Sequence, residues 1–447
     1  MSENSTIVAV ATPPGRGGLG VIRLSGPASL SIAQALARDE AFAPDPNRAT
    51  LRRLYHTDSG ELIDQALITY FRAPHSFTGE DVIELSCHGS PVLLRQLVDC
   101  ALALDARAAG PGEFTLRAVS NGRINLSQAE AIRDLINAQT QAAAQQAARQ
   151  LNGELSAQLQ PLKDALIRVI VQLESALEFV EDDLPESDNE NLKTEISRLK
   201  SQIAALANTF RTGRLFRDGL RVALAGRPNA GKSSLFNALL NSERAIVTDL
   251  PGTTRDTLSE YIALEGVPVQ LTDTAGLRAS TELIESIGIE RTRRAMSDAD
   301  LVVVVLDGAQ MLNDEDREVL AAASEQTYII ASNKSDLPSF APTLAGCAVS
   351  AKTGAGLAEL RAAIIAPFAN NDATHSALLI TDARHHDLLR RAQDELQSSA
   401  QLLANRASEE LTLVGLHNAL RYLGQITGET TAEDILTQIF TTFCIGK

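Results

Sequence analysis

The stretch GRPNAGKS, residues 226–233, constrains this chain's fold more than any other. It fits the phosphate-loop pattern through Gly226, Gly231, Lys232 and Ser233, and it lies between an apolar run, LRVALA, and a helical run, SLFNALL. A strand must therefore end where a helix begins, with backbone N–H groups and the helix N-terminus turned toward a phosphate. In that setting the Lys232 ammonium neutralises the β- and γ-oxygens and the Ser233 hydroxyl is a ligand for Mg²⁺.

Three further motifs follow in order. DTAG (Asp273 to Gly276) closes an apolar run, which brings a carboxylate near the Mg²⁺ shell and the Gly276 N–H near a γ-phosphate. NKSD (Asn333 to Asp336) follows TYIIAS, and SAK (Ser350 to Lys352) follows CAVS. The Asp336 carboxylate can accept both N1–H and N2–H of guanine, donors that adenine lacks on that edge, so adenine would leave it unpaired. The expected base is guanine. Between the loop and DTAG lies TDLPGTTRD, where Thr254, beside Thr253, is the expected Mg²⁺ ligand in a segment ordered by the nucleotide. The expected nucleotide contacts are Asn229, Ala230, Gly231, Lys232, Ser233 and Ser234 in the loop. The switch segment adds Thr248, Asp249, Leu250, Pro251, Gly252, Thr253 and Thr254. The later motifs add Asp273, Thr274, Ala275 and Gly276, then Asn333, Lys334, Ser335 and Asp336, then Ser350, Ala351 and Lys352.

The surrounding texture divides the 447 residues into regions. Residues 216–370 alternate short apolar runs (LRVALA, VPVQLTD, LVVVVLD, TYIIAS) with helix-start chemistry, the pattern of a parallel sheet covered on both faces. Residues 1–118 carry β-branched runs (TIVAVA, GVIRLSG, LITYF, DVIELSCHG) broken by Gly and Pro, as in a small α+β domain. From Ser120 to about Arg214 the chain is rich in Ala, Gln, Leu and Glu at helical spacing, interrupted by the acidic turn EDDLPESDNE. Helical texture returns after Asn371, where TAEDILTQIF places Thr431 and Asp434 at capping-box spacing. The expected fold is multidomain, combining α+β and α/β. A small N-terminal α+β domain (1–118) precedes an all-helical central domain (119–215 plus 371–447), into which a P-loop GTPase α/β domain (216–370) is inserted. Two unrelated helical domains are the alternative.

Composition narrows the partners. With 44% hydrophobic residues, 4% aromatics and no Trp, the core must come from Leu, Ile, Val and Ala. A net charge of −16 speaks against wholesale wrapping of nucleic acid, which relies on Lys and Arg displacing counterions. Cys87, Cys100, Cys347 and Cys444 are widely spaced, with no Cys-x-x-Cys pair to indicate zinc or a disulfide framework. The start, MSENSTIVAV, lacks a basic signal region, and the longest apolar run, LVVVVL, is too short to span a bilayer. A cytoplasmic protein is expected. Cys87–His88 and His385–His386 match no ligand spacing and read as structural.

One position departs from the Ras pattern. Leu277 stands where a water-orienting glutamine is found, and an apolar side chain cannot orient water. Glu282 and Glu285, three apart in the following segment, share one face if that segment is helical, and either can hold a water. The charge that an arginine finger supplies elsewhere has two candidate sources. Asn229 can hold a monovalent cation with the carbonyls of Thr248 and Leu250 and the Thr253 side chain, or Arg255 or Arg278 can act in cis.

GRPNAGKSS, GTTRD, DTAGLR, IGIER and FCIGK, together with PPGRGGLGVIRLSG, SFTGEDVIEL and GPGEFTLRA, closely resemble the MnmE (TrmE) family of tRNA-modification GTPases, and the resemblance runs from TIVAVATPPGRGG to Lys447. It implies a potassium-stimulated, Mg²⁺-dependent GTPase that dimerises through its N-terminal domain. With an FAD-dependent partner of the MnmG (GidA) type, as a heterotetramer, such a protein modifies C5 of the wobble uridine in certain tRNAs. The one-carbon donor is a tetrahydrofolate, in its 5,10-methylene or 5-formyl form. Carried over by motif, Asn229 becomes the K⁺ ligand and Glu285 the water-holding acid, acting beside Lys232 and Gly276. The same resemblance implies a folate site at Arg23, Glu80, Arg123 and Lys447, and gives Cys444 a role in handling the one-carbon unit. The family position matching Arg123 is often Lys, and a guanidinium fork is not equivalent to an ammonium. CIGK does not fit a prenylation signal.

Two other readings are weighed against this one. An assembly GTPase would need an RNA-binding domain, and GRGG at 15–18 matches a KH loop only if helices flank it. A folate-dependent transferase with the GTPase as a clock would bind folate through residues 1–118 alone.

Overall fold

A computed structural model describes residues 5–178, 186–242, 259–273, 294–368, 378–405, 409–429 and 445–446. The chain divides into two compact units, Met1–Arg133 with Gly424–Lys447, and Asp134–Leu423.

The first unit is built on a sheet ordered β3-β4-β5-β2-β1-β6. Its strands are β1 (Ile7–Val10), β2 (Gly17–Ser25), β3 (Ala49–Tyr55), β4 (Leu62–Phe71), β5 (Val82–Gly89) and β6 (Arg107–Ala108). Neighbours are antiparallel except β1 and β6. In β4, Asp64, Ala66, Ile68 and Tyr70 point inward while Gln65 and Leu67 point out, the two-residue period of a sheet with one covered face. On the covered face, Ile22, Leu24, Ile68 and Leu85 pack with Ile32 and Leu36 of α1 (Ser29–Ala37) and Leu97 of α2 (Pro91–Ala103). The opposite face carries a row of register partners, Leu51, Leu67, Ser86 and Val21, of which Leu51 is 53% and Leu67 42% exposed. Helices α3 (Glu113–Ser120) and α4 (Leu126–Asn137) follow. GRGG connects β1 to β2, so the helices that a KH loop needs are absent from its flanks. The end of the chain returns to this unit, where Ile445 forms an isolated antiparallel bridge with Pro111.

The second unit begins with helices. α5 (Gln141–Leu151) is capped by Thr140, whose hydroxyl accepts the Ala143 N–H. α6 (Glu154–Glu178), α7 (Glu186–Asn208) and α8 (Phe210–Asp218) follow. The texture that reads as nearly unbroken from Ser120 is divided at Thr140 and at Gly153, whose φ is 84°. Helices α12 (Ala383–Ala404) and α13 (Glu409–Thr427) come from beyond the α/β segment. α12 meets α7, with Lys200 Nζ donating to Gln397 Oε1 at 2.7 Å. Arg217 of α8 lies 2.8 Å from Asp382, the cap of α12, and 3.2 Å from Asp134.

Between these helices lies a six-stranded sheet ordered β12-β11-β10-β7-β9-β8. β7 (Leu220–Ala225), β9 (Val267–Asp273), β10 (Leu301–Asp307), β11 (Tyr328–Asn333) and β12 (Cys347–Ala348) run parallel. All seven residues of β10 are buried, as a central strand covered on both faces requires. The edge strand β8 (Ser259–Leu264) is antiparallel to β9 and was not anticipated. It joins β9 through Glu265 and Gly266, both at positive φ (49° and 84°), the geometry of a tight hairpin turn. β7 lies between β9 and β10, so the chain after it leaves the sheet at a topological switch point, where ligands bind in open α/β folds.

Candidate functional site

The phosphate loop occupies that switch point, between β7 and α9 (Lys232–Ser242). Gly226 and Gly231 have φ of 155° and 97°. A Cβ on Gly226 would collide with the Val305 carbonyl, and one on Gly231 with the Asn333 amide, so neither position tolerates a side chain. Asn229 also takes positive φ (64°) and is exposed. Lys232 is 6% exposed, and its Nζ donates to the carbonyls of Gly226 and Arg227, each at 2.8 Å. The P-loop ammonium is thus held in the curve of the loop, at the positive end of α9.

Two oxygen ligands meet beside it. Ser233 Oγ donates to Asp273 Oδ2 at 2.7 Å, at the carboxyl end of β9 where Asp273 is 2% exposed. A hydroxyl and a carboxylate in contact are the hard donors that Mg²⁺ prefers, so these residues fit the ion. On the base side, Asn333 Nδ2 donates to the Ala230 carbonyl at 3.1 Å and its Oδ1 accepts the Ala351 N–H at 3.1 Å. One side chain therefore joins the phosphate loop, NKSD and SAK. Asp336 accepts Ser350 Oγ–H at 2.7 Å, a bond that draws its carboxyl below the ordinary range and leaves lone pairs turned to solvent. Lys334, at φ 69°, reaches Asp307 Oδ2 at 2.7 Å. Ser335 N–H donates to the Val349 carbonyl at 3.0 Å; Ser234 and Lys352 are exposed. Residues 248–254 and 274–276, Arg255, Leu277, Arg278, Glu282 and Glu285 lie outside the described residues.

A second cluster lies in the N-terminal unit. Arg23 donates through Nε (2.9 Å) and Nη2 (2.7 Å) to Glu84, its register partner on β5, and its guanidinium lies 5.9 Å from the Phe77 ring centre. Nη1 donates to the Gly446 carbonyl at 3.4 Å, which brings Gly446 to Arg23. Glu80 accepts Ser25 Oγ–H at 2.7 Å and Arg117 Nη1–H at 2.9 Å. Arg123 donates from Nε to the Ser76 carbonyl at 3.1 Å and packs over Gly79. The segment from Ser76 to Glu80 thus carries Glu80 and lies against Arg23 and Arg123; Lys447 and Cys444 lie outside the described residues. Behind them, Glu113 accepts N–H groups of Arg107, Arg117 and Gly110. Burial alone would raise the Glu113 carboxyl, but these donors hold it below the ordinary range. Cys87, by contrast, is buried and its thiol is pushed up to about 12, while His88 is held by Asp64 at 2.7 Å. Neither is presented as a metal ligand.

Comparison with known proteins gives these two clusters a common setting. A family model described as the GTP-binding protein TrmE N-terminus matches residues 6–123, and one described as the MnmE helical domain matches residues 126–444. The tRNA modification GTPase MnmE of Koribacter versatilis is 44% identical, with 100% of both chains covered. That of Aquifex aeolicus is 40% identical over 99% of each. The chain belongs to the MnmE (TrmE) family. It is a GTP hydrolase. Among solved structures, the G domain of the T. maritima FeoB iron transporter is 27% identical, covering 33% of this chain and 97% of that one, with a TM-score of 0.24. Among the described residues, no helix is long and apolar enough to cross a membrane.

Several residues that hold these candidate side chains in place escape sequence reading. Arg117 and Ser25, which grip Glu80, sit in no motif whose chemistry names them. Asp307, the partner of Lys334, had one signal: an acid ending an otherwise wholly apolar strand.

Proposed function

We propose that this chain is a potassium-dependent GTP hydrolase that acts in the cytoplasm on the wobble uridine of certain tRNAs. With an FAD-dependent partner of the MnmG type, arranged with it as a heterotetramer, it installs an aminomethyl-type group on C5 from a tetrahydrofolate one-carbon donor. What carries the reading is the end-to-end match to MnmE relatives named for tRNA modification, combined with a nucleotide site whose Asp336 is built for guanine.

In this reading Lys232 and the N–H groups of Asn229 to Ser234 bind the phosphates, and Asn333 and Asp336 orient the base. Mg²⁺, held by Ser233 and Thr254 with Asp273 behind them, and K⁺, held by Asn229 with Thr248, Leu250 and Thr253, supply positive charge at the phosphates when bound. The Gly276 N–H faces the γ-phosphate, and Glu285 holds the attacking water that Leu277 cannot. The exposed position of Asn229, on a positive-φ turn of the loop, supports its availability to a cation. For folate, the cations Arg23, Arg123 and Lys447 suit an anionic tail and Glu80 suits paired N–H donors of the pterin. The approach of Gly446 to Arg23 supports bringing Lys447 and Cys444 there. The uncovered row Leu51–Leu67–Ser86–Val21 supports a homodimer through the N-terminal sheet. The helical segments on either side of the α/β unit act as one domain, 119–215 with 371–447.

The test is steady-state GTP hydrolysis in K⁺ and Na⁺ at matched ionic strength, for the wild type and Glu285→Ala. Turnover should be at least about tenfold faster in K⁺, and the substitution should lower kcat by about 10² or more at little change in KM. Equal rates in the two salts would remove the cation from the mechanism; an active Glu285→Ala enzyme would remove the acid.

A further inference from the structure

Arg227 is the second residue of the phosphate loop, and the phosphate-loop pattern gives its side chain no task. The structure shows where that side chain goes. Nη2 donates to Gln310 Oε1 at 2.7 Å, and Nε lies 3.3 Å from Asp316 Oδ1. Asp316 is 2% exposed and opens α10 (Asp314–Ala323). Its other oxygen, Oδ2, accepts the Asn313 N–H at 3.2 Å while Asn313 Oδ1 accepts the Asp316 N–H at 2.9 Å, a complete capping box. A carboxylate this deeply buried needs a cation beside it, and Arg227 is placed to serve. The same residue's carbonyl accepts Lys232 Nζ at 2.8 Å.

We propose that Arg227 is a positioning residue for nucleotide binding. Its guanidinium, anchored on Gln310 and Asp316, fixes the start of the phosphate loop and with it the carbonyl on which Lys232 rests. The anchoring segment, Asp307–Asp316, belongs to none of the nucleotide motifs. At its other end it holds the base side as well, since Asp307 binds Lys334 at 2.7 Å and the Gly308 N–H donates to the Asn333 carbonyl at 2.9 Å. The connection from β10 to α10 thus sets the spacing between the phosphate loop and NKSD.

Nε and Oδ1 face each other without an aligned hydrogen bond, so charge is what acts between them. Asp316→Asn removes that charge and keeps an acceptor for the Asn313 N–H. The experiment titrates the full chain with fluorescent mant-GDP and follows thermal melting of the same samples. Asp316→Asn and Arg227→Met should each weaken mant-GDP about tenfold, and raise KM for GTP with kcat changed by less than about twofold. Arg227→Met/Asp316→Asn should lose clearly less than the sum of the two single variants, because both remove the same charge pair. Asp314→Asn strips an exposed acid, paired with Arg317, from the same helix end and should bind as the wild type does. Wild-type affinity in Asp316→Asn and Arg227→Met, with only a lowered melting temperature, overturns the proposal, as do losses that add in the double variant. A wild-type chain that fails to bind mant-GDP would instead sink the nucleotide-site assignment on which the proposal rests.

Discussion

Asp336→Asn tests the guanine reading most directly. The Asp336 carboxylate accepts Ser350 Oγ–H at 2.7 Å and its own backbone N–H, and its exposed side leaves acceptors where N1–H and N2–H of a guanine base can be met. Hydrogen bonds to a charged acceptor contribute about 1.5–3 kcal/mol each. Asparagine keeps one acceptor and sets an NH₂ donor against a base donor, so at least one of the two bonds is lost and the other is no longer charge-assisted. GTP should therefore bind about 10²–10³ more weakly. Xanthosine triphosphate has a carbonyl where guanine has its amino group. It therefore gains from the new NH₂, and the preference between the two nucleotides inverts. Competition of both against mant-GDP reads the two affinities in one assay. The sign of the pH response follows from the same geometry. Ser350 lowers the Asp336 pKa, so wild-type affinity persists through the ordinary carboxylate range and falls only as pH drops below it. Asp336→Asn with GTP affinity within about fivefold of wild type, and no gain for xanthosine triphosphate, would refute the assignment of the base pocket.

Two other perturbations address the N-terminal unit. Glu113→Gln leaves the shape but removes the charge that Arg107 and Arg117 share, and it should lower the melting temperature of that unit by about 4–10 °C, from a loss of ~2–3 kcal/mol. Because the folded Glu113 pKa is depressed, its contribution is present above the unfolded value of about 4.3 and disappears as pH falls through the folded one. The variant's deficit should therefore shrink in acid, and a deficit that is constant from pH 7 to pH 3 contradicts the ion-pair account. Leu67→Arg places a charge in the middle of the uncovered sheet row. Light scattering should find the wild type dimeric and this variant monomeric, with the fold retained by circular dichroism; a dimer that survives in the variant shows that another surface carries the association.

What could be read from the sequence was whatever depends on residues close together in the chain. β10 announces itself because all seven residues of LVVVVLD face protein. The phosphate loop does so because two glycines, a lysine and a serine must fall within eight residues of backbone. β3 is hidden because its inward positions include Thr50 and Arg52 while Leu51 faces out, so ATLRRLY carries no clean two-residue period. Arg52 is tolerated there because its guanidinium stacks 4.5 Å from the Phe42 ring centre. β8 is an edge strand of mixed character, and its best cue was the Glu265–Gly266 turn.

The sites show the same division more sharply. Residues that touch a phosphate or a base are fixed by local backbone geometry, and they appear as motifs. The residues that hold those side chains in place are constrained only through space. Arg117 reaches Glu80 from 37 positions away, Asp307 reaches Lys334 from 27, and Asp316 reaches Arg227 from the far side of the sheet's central strand. Each of these can be replaced, in principle, by another pair of opposite sign at another pair of positions, so no spacing rule marks them. Their energetic weight is nonetheless large, because Asp307 and Asp316 are almost wholly buried and a buried carboxylate without its cation destabilises the elements around it. Substitutions that spare every motif can therefore still disable the nucleotide site. The connection between β10 and α10 is where this structure places that vulnerability.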